Sequence, residues 1–289
     1  MDKTVKDELL ELKGNEYNSL LINSANLVGE HKHPVNIVGI IGCGAIAKII
    51  TDYAVAGNLG VETNFFYDQN LKKAKKLAAQ VDGVAVRDVK DMLGHVDLVV
   101  EAASPPAVVD LVPTVLQAGK DVMIMSLGAL MDFHLKDYLE DLARQNNAHV
   151  YLPSGALAGL DGVRSAAVGE IMEVSLVTRK NPLSFGIKTD QETVLFEGKA
   201  GDAVRKFPAN INVAAALSIA CGREAEVKII ADPSVDYNCH QVHVVGDFGE
   251  IKTTTQNRSC VTNPKTSVLA AYSAIKLLKR FNQTLKVGT

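Results

Sequence analysis

The segment that most constrains this chain is VNIVGIIGCGAIAKIITDYAVAGNLGVETNFFYD, residues 35–68. It opens with a short apolar run that is typical of a buried strand. The turn that follows, Gly42-Cys43-Gly44-Ala45-Ile46-Ala47, fits the pattern G-x-G-x-x-G/A. An amphipathic segment and a second apolar strand come next, and Asp68 ends that strand. Strand, glycine turn, helix, strand and acid in this order predict a βαβ unit that binds a dinucleotide.

The residues of this unit have separate physical roles. Gly42 allows the tight turn, and Gly44 lets the backbone approach a pyrophosphate. Ala45 and Ile46 begin a helix whose unpaired N–H groups attract phosphate. Asp68 stands where a carboxylate accepts hydrogen bonds from the adenosine ribose.

The choice between NAD and NADP stays open at this point. Asp68 favours NAD because its charge repels a 2′-phosphate. Lys72 and Lys73 lie close by in the sequence and would offset that repulsion.

Composition excludes several classes of protein. The chain has 289 residues, which suggests two domains, and a formal net charge of −3, which gives no general attraction to nucleic acid or anionic membranes. Hydrophobic residues make up 47%, but no apolar run reaches the ~18 residues of a membrane span. The charged N-terminus lacks the apolar core of a signal peptide. The four cysteines have no metal-ligand spacing, so we expect no metal site and a cytoplasmic protein with reduced thiols.

Short apolar strands alternate with helical segments as far as residue 152. Beyond the first two, strands are predicted at Val84–Val86, Asp97–Glu101, Asp121–Met125 and His149–Leu152. Helices between strands require parallel crossovers, so residues 34–153 are predicted to form an α/β domain with a Rossmann-type, doubly wound parallel sheet. Residues 1–33 are predicted to form a helical extension ahead of this domain.

Ligands in such sheets lie beyond the carboxyl ends of the strands. Two loops that carry small residues fall there, and small residues would let a flat nicotinamide ring lie against the backbone. They supply the further predicted cofactor contacts, Ala102, Ala103, Ser104, Ser126 and Ala129.

The order of elements changes after residue 153. A strand at Ile171–Arg179, a polar loop and one helix at Asp202–Cys221 precede three successive strands, Glu226–Ala231, Cys239–Val245 and Gly249–Thr255. Successive strands predict a second, α+β domain with a mixed or antiparallel sheet over residues 154–262. The last segment, Asn263–Arg280, has a helical apolar stripe, and we expect residues 263–289 to return to the first domain.

Two histidines share one predicted strand, in Asn238-Cys239-His240-Gln241-Val242-His243. Strand side chains alternate between faces, so His240 and His243 point in opposite directions and cannot bind one metal together. His240 follows a polar turn, near the mouth of the strand, where an acid–base imidazole is needed. It is either a catalytic group or a histidine satisfied by neighbouring backbone.

Groups able to bind anions are spread over the second domain, in Arg179-Lys180-Asn181-Pro182, at Arg205 and Asn210, and in Asn263-Pro264-Lys265-Thr266-Ser267. A small diacid needs cations or the N–H groups of a helix start for its carboxylates. Asn263-Pro264 is typical of such a helix start. Each of these residues could equally be an ordinary cap or a solvated loop residue.

Cys239 beside His240 invites comparison with the thiol nucleophile of semialdehyde dehydrogenases. Adjacent strand residues face opposite ways, however, so His240 is not positioned to form the thiolate.

Motifs along residues 35–280 resemble those of the L-aspartate dehydrogenase family. Matching stretches include Gly39–Ile46, Val100–Pro105, Ser126–Leu130, Ser154–Asp161, Thr178–Lys180, Phe207–Ala216, Ala231–Pro233, Asn238–His240 and Asn263–Ser267. The resemblance implies NAD(P)-dependent oxidation of L-aspartate to iminoaspartate, which either feeds quinolinate formation for NAD synthesis or hydrolyses to oxaloacetate and ammonia. It also implies that His240 is the catalytic histidine. We take Asn210, Asn238, Lys265 and Thr266 as candidate substrate contacts, and we expect a homodimer.

Two alternatives stay open on sequence grounds. The same scaffold could reduce a cyclic imine or a semialdehyde with NAD(P)H. The chain could also bind NAD(H) as a sensor without turnover, although no helix-turn-helix segment or basic face supports a DNA partner.

Overall fold

The computed structural model describes residues 35–208, 211–260 and 263–288, and the predicted helical extension at residues 1–33 lies outside these ranges. The first domain contains a six-stranded sheet in the order β3-β2-β1-β4-β5-β6, with every pair parallel. Its strands are β1 Ile37–Ile41, β2 Glu62–Tyr67, β3 Val84–Ala85, β4 Leu98–Glu101, β5 Asp121–Ile124 and β6 Val150–Tyr151. Its helices are α1 Ala45–Val55, α2 Leu71–Ala78, α3 Lys90–Leu93, α4 Pro105–Gln117 and α5 Phe133–Gln145. The strand order reverses between β1 and β4, which is where a Rossmann sheet binds its ligand.

The central strands read as continuous apolar runs because helices cover both faces of the sheet. All four residues of β4 are buried, and so are the last four of β1. The prediction of a doubly wound parallel sheet is therefore confirmed.

The second domain is built on a five-stranded mixed sheet in the order β11-β10-β7-β9-β8. Its strands are β7 Ile171–Lys180, β8 Thr193–Lys199, β9 Glu226–Ala231, β10 Asn238–Gly246 and β11 Gly249–Asn257. Only β7 and β9 pair in parallel. One face of the sheet packs against the helices α6 Leu160–Ala166, α7 Ala200–Lys206 and α8 Asn212–Cys221. The predicted mixed sheet is thus confirmed.

The polar loop predicted between β7 and the next helix contains structure. A 3₁₀ helix spans Pro182–Phe185, and β8 spans Thr193–Lys199. All seven residues of β8 are exposed or half-buried. Such an edge strand lacks the apolar alternation by which buried strands are found.

Two predicted helices have different bounds in the structure. The helix predicted at Asp202–Cys221 is divided into α7 and α8. Pro208 disfavours helical geometry at Phe207, whose φ is −133° and ψ is 57°.

The C-terminal helix begins later than predicted. Residues Asn263–Ser267 form β13, which pairs with β12, Ser259–Cys260, and the helix is α9, Val268–Phe281. Ser267 caps it by accepting a 3.1 Å hydrogen bond from the N–H of Leu269. The expectation that Asn263-Pro264 exposes helix N–H groups was therefore wrong, because the cap lies at Ser267.

Helix α9 packs against the first domain. Its buried residues Ala274, Ile275 and Leu278 join the core that contains Val38 and Ile40 of β1. No helix in the described part of the chain combines the length and apolar character needed to cross a membrane.

Candidate active site

The glycine turn after β1 has the geometry that its sequence predicts. Gly42 has a φ of +89°, and a Cβ there would lie 2.6 Å from the backbone of Ala103, so glycine is required. Gly44 is the N-cap of α1 and faces open space, since no atom lies within 4 Å of where its Cβ would be. The turn thus leaves room for a pyrophosphate over the first N–H groups of α1, Ala45 and Ile46. These residues fit a dinucleotide.

The Asp68 carboxylate holds the same turn from the end of β2. It accepts hydrogen bonds from the N–H of Cys43 over 2.8 Å and from the N–H of Asn70 over 2.7 Å. Asp68 is half-buried, so its carboxylate remains within reach of a ligand at this edge of the sheet.

A buried carboxylate that the sequence motifs do not single out connects the next two loops. Glu101 is 0% exposed at the end of β4. Its Oε1 accepts from the N–H groups of Ala103 and Ser104 and from the Ser126 hydroxyl. Its Oε2 accepts from the Ser126 N–H over 3.0 Å. Burial raises the pKa of Glu101, and these four donors oppose that rise.

The predicted cofactor residues of these loops occupy different positions. Ala103 is exposed beside Gly42, Ala102 is half-buried, and Ser104 is the N-cap of α4. Ser126 is buried and bonded to Glu101. Ala129 is buried within the core of the first domain. The Ala129 side chain therefore packs in that core, and a contact between its backbone and the cofactor stays a prediction.

A cavity of about 100 Å³ lies where the two domains meet. The first domain and the segment after it contribute Ile46, Met125, Leu127 and Pro153–Ala156. The second domain and the C-terminal segment contribute Lys180, Asn212, Val213, Ala216, Asn238, His240, Thr266, Ser267 and Ala270. The start of α1 and the mouth of the second sheet thus share one cavity.

His240 lies in the wall of this cavity on β10 and is 2% exposed. Its Nδ1 is 3.1 Å from the hydroxyl oxygen of Thr178, the residue opposite it on β7. Burial, together with the positive charge of Lys180, lowers the pKa of His240 to about 3. The imidazole is therefore neutral at physiological pH.

Lys180 lies two residues beyond Thr178 on β7, and Asn238 lies two residues before His240 on β10. Residues two apart in a strand share a face, so all four side chains lie on one side of the sheet. Lys180 and Asn238 are each 3% exposed and both line the cavity. Burial lowers the pKa of Lys180 to about 8.

The other predicted substrate residues have mixed outcomes. Thr266 lines the cavity. Asn210 lies outside the described residues, as does the side chain of Lys265. The structure adds Asn212, whose Oδ1 accepts a 3.1 Å hydrogen bond from the N–H of Gly128 and so links α8 to the loop after β5.

Two arginines from the anion-binding group are engaged elsewhere. Arg179 faces away from the cavity and forms ion pairs with Glu192 and, over 2.7 Å, with Asp232. Arg205 is exposed and pairs with Asp202.

The thiol chemistry considered for Cys239 finds no support. Burial raises the pKa of the Cys239 thiol, which opposes thiolate formation. The four cysteines, Cys43, Cys221, Cys239 and Cys260, are all free thiols.

Known proteins match both halves of this architecture. Residues 38–153 match a family described as homoserine dehydrogenase, NAD binding domain, and residues 161–281 match one described as aspartate dehydrogenase, C-terminal. The L-aspartate dehydrogenase of Methanothermobacter thermautotrophicus is 58% identical over 253 residues, which are 88% of this chain and 98% of that protein. The chain belongs to the L-aspartate dehydrogenase family.

Three further known proteins are similar to this chain. The L-aspartate dehydrogenase of Methanococcus maripaludis strain C6 is 44% identical over 264 residues, covering 87% of this chain and 99% of that protein. The crystal structure of aspartate dehydrogenase from Thermotoga maritima superposes with a TM-score of 0.73 at 28% identity, over 89% of this chain and 100% of that one. GenD2 from gentamicin A biosynthesis, in complex with NAD, has a TM-score of 0.52 at 15% identity over 78% of this chain and 74% of that one, and shares the fold alone.

These matches confirm the resemblance that the sequence motifs carry. They also confirm an oxidoreductase with NAD or NADP as its cofactor.

Proposed function

We propose that this protein is an L-aspartate dehydrogenase that oxidises L-aspartate to iminoaspartate with NAD or NADP. The observation that carries the proposal is the cavity in which His240 of the second domain meets Ile46 at the start of α1. A substrate held there would have a neutral imidazole on one side and the cofactor domain on the other. Family membership supports the same reaction.

The cofactor contacts in this proposal are those of the glycine turn and its neighbours. Gly42, Gly44, Ala45 and Ile46 would hold the pyrophosphate, and Asp68 the ribose. Ala102, Ala103, Ser104, Ser126 and Ala129 would border the nicotinamide. The bound dinucleotide supplies the hydride acceptor for the substrate Cα.

His240 acts as the proton acceptor. Thr178 engages Nδ1, so proton transfer falls to Nε2. The imidazole takes a proton from the substrate ammonium group, which frees the nitrogen lone pair that forms the C=N bond as the Cα–H bond breaks. Asn238 and Thr266, with Asn210 and Lys265, are the proposed substrate contacts.

The proposal also covers the cellular compartment, the oligomeric state, the fate of the product and the domain bounds. We infer that the enzyme is a cytoplasmic homodimer. Its product, iminoaspartate, either feeds quinolinate formation for NAD synthesis or hydrolyses to oxaloacetate and ammonia. The cofactor domain would comprise residues 34–153 with 263–289, and the substrate domain residues 154–262. The four free thiols support a reducing compartment.

A panel of amino acids tests the reaction. Purified protein is mixed with each L-amino acid and NAD⁺ or NADP⁺, and reduced cofactor is followed by its absorbance. L-Aspartate is expected to give the highest kcat/KM. Activity on a different substrate alone, or cofactor binding without turnover on any substrate in either direction, would refute the proposal.

A further inference from the structure

Residues 153–159 join β6 of the first sheet to α6, and the first four of them form part of the cavity wall. We propose that Thr255 and Asn257 of β11 are positioning residues, which hold this linking segment at a fixed distance from His240. The inference rests on the proposed function and deepens it, because it assigns two residues the task of setting the width of the cleft in which L-aspartate would react.

Alternate side chains of β11 form a row of hydrogen-bond donors toward the linking segment. Thr253, Thr255 and Asn257 lie two residues apart, so their side chains share one face of the sheet. The Thr253 hydroxyl donates to the carbonyl of Ala158 over 3.2 Å. The Thr255 hydroxyl and the Asn257 amide both donate to the carbonyl of Ala156, over 3.2 Å and 2.8 Å. Side chains of one strand thus fasten the segment at two points.

The point at Ala156 is the one that borders the cavity. Ala156 lines the cavity wall, whereas Ala158 is not among the lining residues. A carbonyl oxygen has two lone pairs, and the two donors from Thr255 and Asn257 engage both. Ala156 is 6% exposed and Asn257 is 5% exposed, so a donor lost here is poorly replaced by solvent.

Thr255 also ties this point to His240. It lies opposite His240 on β11, as Thr178 does on β7. Its hydroxyl is 3.5 Å from the carbonyl oxygen of His240. The linking segment is therefore fastened beside the backbone of the proposed proton acceptor, and the distance between the two is set by one short side chain.

The linking segment is held from its other side by α9. The N–H of Gly155 donates to the hydroxyl oxygen of Ser273 over 3.0 Å. That hydroxyl donates in turn to the carbonyl of Ala270 over 2.8 Å, and Ala270 also lines the cavity. Helix α9 packs against the first domain, so the segment is bonded to elements of both domains where it borders the cavity.

This arrangement has a consequence for the rate. The proposed reaction requires the substrate to lie within reach of His240 and of the cofactor at the same time, and a displacement of about 1 Å in such a site can lower the rate by about 100-fold. Loss of the donors to Ala156 should therefore lower kcat. It should leave the affinity for NAD⁺ unchanged, because the proposed pyrophosphate contacts lie in the glycine turn, on a different segment.

Thr255→Val tests the assignment, since valine is nearly isosteric with threonine and lacks the hydroxyl. We expect kcat with L-aspartate to fall roughly tenfold, with unchanged affinity for NAD⁺ by calorimetry. Thr255→Ser restores a hydroxyl and should recover most of the rate. Asn257→Leu removes the shorter of the two bonds and should lower kcat at least as far as Thr255→Val does.

Thr253→Val is the matched control, because it makes the same chemical change on the same face of β11 and breaks the bond to Ala158 instead. It should lower the Tm about as much as Thr255→Val and leave kcat close to wild type. Thr254→Val, on the exposed opposite face, should change neither quantity.

Three results would overturn the assignment of Thr255 and Asn257 alone. They are a wild-type kcat in both Thr255→Val and Asn257→Leu, equal losses of kcat in Thr253→Val and Thr255→Val, and a failure of Thr255→Ser to recover the rate. A wild-type enzyme that oxidises no L-aspartate would instead refute the proposed function, and the positioning role would be refuted with it.

Discussion

The hydroxyl of Ser126 donates to Oε1 of Glu101 over 2.9 Å, and the backbone N–H of Ser126 donates to Oε2 over 3.0 Å. Because Oε1 also accepts from Ala103 and Ser104, one buried carboxylate joins the loops that follow β4 and β5. Both loops border the proposed nicotinamide position. This carboxylate therefore links the two loops directly, in addition to the pairing of β4 with β5.

Replacing Glu101 should disturb cofactor binding. In Glu101→Gln the amide NH₂ group would face the Ser126 N–H, and two donors would meet where a bond now exists. We expect the affinity for NAD⁺, measured by calorimetry, to fall by roughly tenfold or more. Ser126→Ala is the control, since it removes one hydroxyl and keeps the carboxylate, and its loss should be smaller. Unchanged NAD⁺ affinity in Glu101→Gln would show that the loops hold their places without this carboxylate.

His240→Asn should separate catalysis from cofactor binding. Asparagine keeps a polar group in the cavity and cannot accept the substrate proton. We expect kcat to fall by about 100-fold or more, which is the usual range for the loss of a general base. The affinity for NAD⁺ should stay unchanged. Steady-state kinetics and cofactor titration measure the two quantities. Turnover equal to wild type would exclude His240 from the mechanism.

Thr178 is expected to position His240. Thr178→Val is nearly isosteric and removes the 3.1 Å contact with Nδ1. The ring then loses the partner that fixes its orientation, and we predict a kcat roughly tenfold lower with little change in KM. Thr178→Ser restores a hydroxyl and should recover most of the rate. Equal rates for the valine and serine variants would refute the positioning role.

The buried charge of Lys180 should lower the free energy of unfolding at neutral pH. Its folded-state pKa of about 8 lies below the ordinary 10.5, so the unfolded chain binds this proton more tightly. The cost of burying the ammonium is fully present below pH 8 and disappears as pH rises to about 10.5. Lys180→Met is therefore expected to raise the Tm by about 3 °C or more at pH 7. Thermal scans at pH 7 and at high pH decide this, and an advantage independent of pH would contradict it.

Asp68 should govern the choice between NAD and NADP. Asp68→Asn keeps an oxygen that can accept from the N–H of Cys43 and removes the charge that repels a 2′-phosphate. We predict that kcat/KM for NADP⁺ relative to NAD⁺ rises roughly tenfold. Lys72→Ala tests the opposite change, because it removes a cation four residues along the chain from Asp68 and should lower that ratio. A ratio unaffected by Asp68→Asn would mean that other residues select the cofactor.

Local patterns were sufficient to predict much of this fold. The central strands β1 and β4 are short apolar runs, and the glycine turn carries its own conformational requirement at Gly42. The break at Pro208 was missed, although the constraint that a proline places on the preceding residue is local. The start of α9 required knowledge that Ser267 is the cap rather than Asn263.

The active site depended on information that the sequence does not display locally. Thr178 lies opposite His240 only because β7 pairs with β10 in one antiparallel register, and a shift of one residue would turn Thr178 and Lys180 to the other face. In the sequence, Glu101 looks like the last residue of any buried strand. Its hydrogen-bond donors lie on two loops whose relative positions the sequence does not show. Alternation within β10 nevertheless indicated, correctly, that His240 and His243 face opposite ways.

Helix α9 has a consequence for how the protein is made. Ala274, Ile275 and Leu278 complete the core around Val38 and Ile40, which the ribosome synthesises more than two hundred residues earlier. Nascent domains generally fold as units once their residues have emerged. The first domain therefore waits longer than the second to bury its apolar surface, because it acquires this partner only after residues 268–281 have been synthesised.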